Sequence, residues 1–319
     1  VSDLAEPLTG ITPAKQQHPM TGYLLYLAAA FLFALNGTVS KSLLLTGIEA
    51  TRLSQIRVSS AFLILLVLVA ITRPAALRIT KKELPVLLVY GVIGVGMTQY
   101  LYFVALQTLP VGVALLIEFT APIMVAIWFR FGMKQATRKS VWIALVLALT
   151  GLAMVAQVWL GFTLSAVGVT AGFGAAIALA IYYVLADKQL RSAQPRDAVS
   201  LTMWGFGASA AFWAIVQPWW SFPWASLTGI GYPLGTDDDA FPIWVLLTYL
   251  IVLGTTVPFL LVVHSMRHIR ASQASVIGMI EPLIAIAIAW LALGEVMTPV
   301  QIIGALIVLF GVVLAERSR

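Results

Sequence analysis

The sequence lacks cysteine altogether, has three histidines, and carries only 19 Lys and Arg against 13 Asp and Glu in 319 residues. Without cysteine there is no disulfide, no thiol nucleophile and no Cys-ligated zinc. The runs that mark nucleotide hydrolysis (G-x-x-x-x-G-K-S/T), zinc peptidases (H-E-x-x-H) and serine hydrolases (G-x-S-x-G) are missing too, so the chain does not read as an enzyme and no cofactor is expected. Charged residues make up 10% and hydrophobic residues 61%, with a mean hydropathy of +0.97. That is too little polar surface for a soluble globule. A pI near 9.7 does not point to nucleic acid, because the positive residues sit in short segments between apolar spans. Residues 1–20 hold Pro7, Pro13 and Pro19 and no apolar core, and read as a flexible cytoplasmic tail rather than a cleaved leader.

What is present is a series of apolar spans. At about 20 residues per crossing, the pattern predicts ten helices at 22–45, 53–72, 84–107, 110–130, 140–159, 164–187, 198–219, 243–265, 271–293 and 299–316. Arg73, Arg78, Lys81 and Lys82 follow the second span and Arg130, Lys134, Arg138 and Lys139 the fourth. Lys188, Arg191 and Arg196 follow the sixth, Arg267 and Arg270 the eighth, and Arg317 and Arg319 end the chain. The alternate connections have no Lys or Arg at their centres and include Glu49, Asp237, Asp238, Asp239 and Glu295. The positive-inside rule then places both termini in the cytoplasm, which requires an even number of crossings. The longest of the outer connections carries Trp219, Trp220, Phe222 and Trp224; these rings suit an interfacial belt better than a substrate lid.

Two acids interrupt the apolar runs. Glu118 lies in the fourth span with Pro122 one turn later, and the ninth repeats the device as Glu281-Pro282. A charge at the bilayer centre costs about 2.5–3.5 kcal/mol on the mildest scale, so such acids usually mark ion or substrate paths. Pro122 has no N–H to offer the carbonyl four residues back, which is that of Glu118 itself. The bland alternative is a kinked helix whose acid pairs with a neighbouring Arg or Lys. At about 1.5 Å rise per residue, both acids approach the midplane. Asn36 and Ser40 on the first span, Gln99 and Tyr102 on the third, and Tyr182 and Tyr183 on the sixth could line a shared site. Taken singly, each is better explained by interhelical hydrogen bonding, worth about 0.6 kcal/mol on average. Lys41 and Arg57 read either as partners of an acid or as cations of an outer gate.

Comparing the halves shows a weak repeat. A shift of 160 lays Gly94 on Gly254, Pro122 on Pro282 and Gly151 on Gly311, and one of 147 lays Lys41 on Lys188. Five crossings per half force the second copy to start on the opposite face, so the repeats are inverted.

Several runs carry a family resemblance: Ser40-Lys41-Ser42-Leu43, Gly96-Met97 with Tyr100-Leu101, Gln107 through Gly112, and Glu118-Phe119-Thr120-Ala121-Pro122. In the second half they are Thr256-Val257-Pro258-Phe259, Met279-Ile280-Glu281-Pro282 and Gly294 through Pro299. On these residues the chain, over roughly 20–316, resembles the drug/metabolite transporter superfamily in its EamA-type ten-helix form, and within it the threonine/homoserine exporters. The resemblance implies inverted five-helix repeats, 21–160 and 161–319, around a central cavity that exports small metabolites. Val262 departs from it, standing where amino-acid exporters of this type can carry an acid.

The expected protein is therefore an all-α polytopic membrane protein with both termini cytoplasmic in a bacterial inner membrane. Its expected activity is secondary export of an amino acid or similar small amphipathic metabolite, coupled to proton entry. Glu118, Glu281, Pro122 and Pro282 are the expected coupling or substrate residues. Expected partners are the small-molecule substrate, protons and lipid; nucleic acid is excluded and a homodimer is left open. Drug efflux or uptake by the same fold is the first alternative. From another class, a membrane-embedded transferase could hold a divalent metal on Asp237–Asp239, although that run has no second acidic cluster to face.

Overall fold

The computed structural model describes residues 19–109, 111–134, 138–155, 157–159, 165–192, 195–233, 240–293 and 298–317. These are almost entirely helical. Seven helices, at 19–45, 50–72, 84–108, 111–132, 166–190, 198–216 and 243–265, are long and apolar enough to cross a bilayer. Three shorter apolar helices cover Lys139–Val155, Ala271–Ala285 and Pro299–Leu314, at the places of the fifth, ninth and tenth predicted spans. Large apolar side chains stand exposed on the outside, among them Ile71 at 76%, Val146 at 63% and Phe310 at 60%. A surface of that kind is matched by lipid and not by water.

In chain order the helices are α1 (Pro19–Leu45), α2 (Ala50–Thr72), α3 (Leu84–Val89), α4 (Thr98–Thr108), α5 (Val111–Glu118), α6 (Ala121–Ile127) and α7 (Lys139–Val155). The second half has α8 (Ala166–Leu190), α9 (Ala198–Val216), α10 (Ile243–Ile251), α11 (Val257–Ser265), α12 (Ala271–Gly278), α13 (Glu281–Leu293) and α14 (Pro299–Arg317). A two-stranded hairpin pairs β1 (Ile230–Gly231) with β2 (Phe241–Pro242). The seventh predicted span overshoots: α9 stops at Val216 because Pro218 cannot continue it, and Trp219–Ser221 turn into a 3-10 helix.

The irregularities recur at the offset seen in the sequence. A π-helical stretch, Tyr90–Met97, joins α3 to α4, and another, Val252–Thr256, joins α10 to α11. Breaks at Phe119-Thr120 and Met279-Ile280 divide α5 from α6 and α12 from α13. Both pairs superpose on a shift of 160. Close backbone approach explains the repeated glycines: a Cβ on Gly94 would lie 3.0 Å from the Tyr182 backbone, and one on Gly254 2.4 Å from Asn36 Oδ1. α7 and α14 approach through Gly151 and Gly304, where an added Cβ would meet the other glycine's carbonyl at 2.6 and 2.7 Å. Gly151→Leu is therefore expected to separate this pair and lower the melting temperature of the detergent-solubilised chain by several degrees; an unchanged value would show that α14 yields freely.

The basic connections meet at one end of the bundle, called here the basic face. Arg73 and Arg267 pair with Asp197, Arg191 with Asp187, and Arg196 with Glu83, and every ion pair among the described residues lies at this face. The Thr80 backbone amide, aided by Arg196, holds the Glu83 carboxyl below its usual range. That contribution is present at neutral pH and is lost as pH falls through the lowered value. At the opposite face Arg52 of α2 donates to Pro218 O (3.2 Å) and Ser221 Oγ (2.7 Å), and fastens the aromatic connection. There Trp219, Phe222 and Trp224 stack together while Trp220 is 89% exposed.

Candidate functional site

The two breaks are built alike. With no N–H at Pro122, the Glu118 carbonyl loses its i+4 amide, and the turn closes instead through Thr120 N to Ile117 O (3.1 Å) and Ile123 N to Thr120 O (3.0 Å). In the second half Pro282 deprives Gly278, and Ile280 N bonds Ile277 O (3.0 Å) while Leu283 N bonds Ile280 O (3.0 Å). Glu118 ends one half-helix and Glu281 begins another.

Both acids line one cavity. α1 contributes Tyr26, Phe33, Asn36 and Gly37, and α4 contributes Thr98, Gln99 and Tyr102. From α5 and the first break come Leu115, Glu118 and Phe119; from α8, Leu179, Tyr182 and Tyr183; from α11, Phe259 and Val262. The cavity separates two apolar packing layers: Tyr102, Leu115 and Phe119 belong to one, and Tyr26, Tyr182, Tyr183, Phe259 and Val262 to the other. Five polar residues expected from the sequence, Asn36, Gln99, Tyr102, Tyr182 and Tyr183, thus face the same space as the two acids.

Neither acid has an ion-pair partner among the described residues. Arg57, fully buried, instead donates Nε to Thr255 Oγ1, Nη1 to Gln99 Oε1 and Nη2 to Gly254 O (2.8 Å). Its guanidinium lies 5.3 Å from the centroid of the Phe103 ring. Lys41 Nζ donates to Leu109 O at 3.3 Å, at the end away from the basic face. Ser40 Oγ donates to Asn36 Oδ1 at 3.4 Å. Ser40, Lys41, Arg57, Pro122 and Pro282 are therefore outside the cavity wall, where they support or shape it.

Sequence reasoning missed Tyr26, whose hydroxyl bonds that of Tyr183 across the cavity, with Gly278 leaving it room. A helical stripe was the available signal, since Tyr26, Phe33, Gly37 and Ser40 recur at spacings of seven, four and three. Toward the basic face, the end of α8 is tied to the start of α12. Asp187 Oδ1 accepts from Ala271 N (3.2 Å), and Arg191 Nη2 donates to Ile269 O (2.9 Å). Ile269 stands 160 residues after Leu109, the acceptor of Lys41, so a cation from the first helix of each half bonds the equivalent carbonyl at opposite ends of the bundle. Among the described residues no group of His, Asp and Glu is arranged to hold a metal. Asp237–Asp239 lie outside the described residues.

Comparison with known proteins bears on the fold and the family. A solved crystal structure superposes with a TM-score of 0.72 over 93% of this chain and 97% of its own, at 17% sequence identity. The chain is 25% identical over 231 residues to the uncharacterized transporter YdfC of Bacillus subtilis, covering 72% of this chain and 71% of that one. It is 27% identical over 252 residues to the threonine/homoserine exporter RhtA of Escherichia coli K12, covering 76% and 75%. An uncharacterized transporter of Archaeoglobus fulgidus is 26% identical over 217 residues, covering 68% and 71%. The model of the EamA-like transporter family matches residues 20–157 and 166–316, and with nearly the whole chain so covered, this multi-pass membrane protein belongs to that family of transporters.

Proposed function

We propose that the chain is a secondary exporter that moves an amino acid or similar small amphipathic metabolite outward in exchange for protons. One observation carries the reading: two carboxyl groups, set on the two helix breaks, face one cavity, and among the described residues neither has an ion-pair partner. A carboxylate left free inside the membrane can take a proton or a substrate ammonium, but not both, and that competition is the minimum needed for exchange. Ten crossings in two inverted repeats, with both termini cytoplasmic, complete the proposal. The repeated π stretches and breaks support it, as do the two matched segments and the three shorter apolar helices in register with predicted spans.

Counterflow of labelled amino acids into proteoliposomes tests the transport reading. Accumulation without added metal is expected, whereas product formation only with a divalent metal would replace it by the transferase alternative. Efflux of amines or drugs with no amino-acid counterflow would favour drug export. Orientation is tested separately with single cysteines, which are informative because the chain has none of its own. Cysteines at Lys81 and Lys134 are expected to react with an impermeant reagent from the cytoplasmic side and one at Asp238 from outside. The reverse pattern would invert the topology and the direction of export.

A further inference from the structure

Arg57 is a fully buried guanidinium whose acceptors, Thr255 Oγ1, Gln99 Oε1 and Gly254 O, are all neutral. Burying such a cation with no carboxylate in direct contact is costly, and Glu118 acts on it only from a longer range, so its place calls for an explanation that helix packing alone does not supply. Arginine can only donate hydrogen bonds. Whatever else surrounds Gln99, its carbonyl oxygen must therefore point at Arg57, and its amide nitrogen must point the other way. Gln99 lines the cavity while Arg57 does not. Asn36, on α1, has its oxygen engaged by Ser40 and packed over Gly254, the residue whose carbonyl Arg57 also holds.

We infer that Arg57 is a positioning residue that turns the Gln99 amide into a fixed N–H donor, so that the cavity has a donor wall at Gln99 and Asn36 and an acid pair at Glu118 and Glu281. Resting on the transport reading above, this assigns to those two amides the recognition of a substrate carboxylate. The positive charge behind Gln99 strengthens a donor aimed at an anion. An amine without the carboxylate leaves both donors without their acceptor inside the cavity, and an unmet buried donor is what sites of this kind discriminate against. Direct contact of the guanidinium with substrate is not required, which separates this role from that of a simple gate cation.

The test is binding, read as the shift in melting temperature of the full chain in detergent, with three matched probes: threonine, its decarboxylated amine 1-amino-2-propanol, and its deaminated acid 3-hydroxybutyrate. The wild type is expected to be stabilised by threonine at concentrations at least tenfold below those at which either fragment acts. In Gln99→Glu, which keeps an acceptor for Arg57 and removes both N–H donors, the preference for threonine over the amine is expected to fall at least tenfold. Asn36→Asp makes the same exchange at the second amide and is the second variant should the first not fold. Arg57→Lys, which bonds fewer acceptors and frees Gln99 to rotate, is expected to lose part of the same preference, an effect that a purely structural Arg57 would not produce. Equal binding of threonine and amine by the wild type, or an unchanged ratio in the folded variants, overturns the inference and leaves the transport reading intact. Stabilisation by none of the probes overturns it together with the amino-acid cargo.

Discussion

Glu118→Gln is expected to abolish accumulation driven by a pH gradient while substrate exchange at equal pH persists. One pH unit is worth about 1.36 kcal/mol per proton, or about a tenfold concentration ratio. A carrier that exchanges one proton per substrate should therefore approach that ratio in proteoliposomes, and the variant should stay near unity. Glutamine keeps the shape and removes only the titration. Glu118 is preferred to Glu281 as the coupling group because it closes α5, where Pro122 leaves its own carbonyl unbonded. Unpaired carbonyls at a helix end favour a proton or a cation beside them. Glu281→Gln, by contrast, is expected to weaken substrate binding about tenfold, with gradient-driven movement still detectable at saturating substrate. Wild-type accumulation by Glu118→Gln would make this acid structural and pass the coupling role to Glu281.

The parts of this site that were legible in the sequence follow from local chemistry. Pro122 and Pro282 remove amides wherever they are placed, so the breaks could be located, and a carboxylate in an apolar run stands out whatever surrounds it. The parts that were not legible depend on neighbours far along the chain. Nothing near Arg57 says that it will face Thr255 and Gly254, because those acceptors are on a π stretch almost 200 residues later, where Thr255 Oγ1 also returns to Leu250 O (2.6 Å). The π stretches themselves had no signal beyond their glycines. Gly91 and Gly96 are packed so closely that an added Cβ would lie 2.4 Å from Gly205 O and 2.5 Å from Ser209 Oγ, and only the folded bundle shows those partners. Tyr26 was missed for the opposite reason: its stripe is legible, but tyrosines on apolar faces are commonly core, and its bond to Tyr183 spans 157 residues.

The latch at the basic face gives the second large effect, and its size follows from separating what changes on opening from what does not. Asp187 and Arg191 are an i,i+4 pair on one helix, so their attraction is present whether the basic face is shut or open and biases neither state. If this face opens by parting α8 from α12, what is lost is the bond from Arg191 to Ile269 O and that from Ala271 N to Asp187. A bond to a charged group is worth about 1.5–3 kcal/mol, and Arg191, with 30% of its side chain exposed, belongs at the low end. Removing it should therefore shift the shut-to-open ratio by about tenfold, since about 1.4 kcal/mol is a factor of ten. Lys41, holding the equivalent carbonyl of Leu109 through one 3.3 Å bond, should act in the other direction and more weakly. A cysteine at Val262, in the cavity wall, would report both by its reaction rate with an impermeant reagent applied from the side of the basic face. Arg191→Ala is expected to raise that rate about tenfold and Lys41→Ala to leave it unchanged or lower it. Equal rates in Arg191→Ala and its parent would mean that the tyrosine bridge between Tyr26 and Tyr183, and not the charged latch beneath it, keeps this face shut.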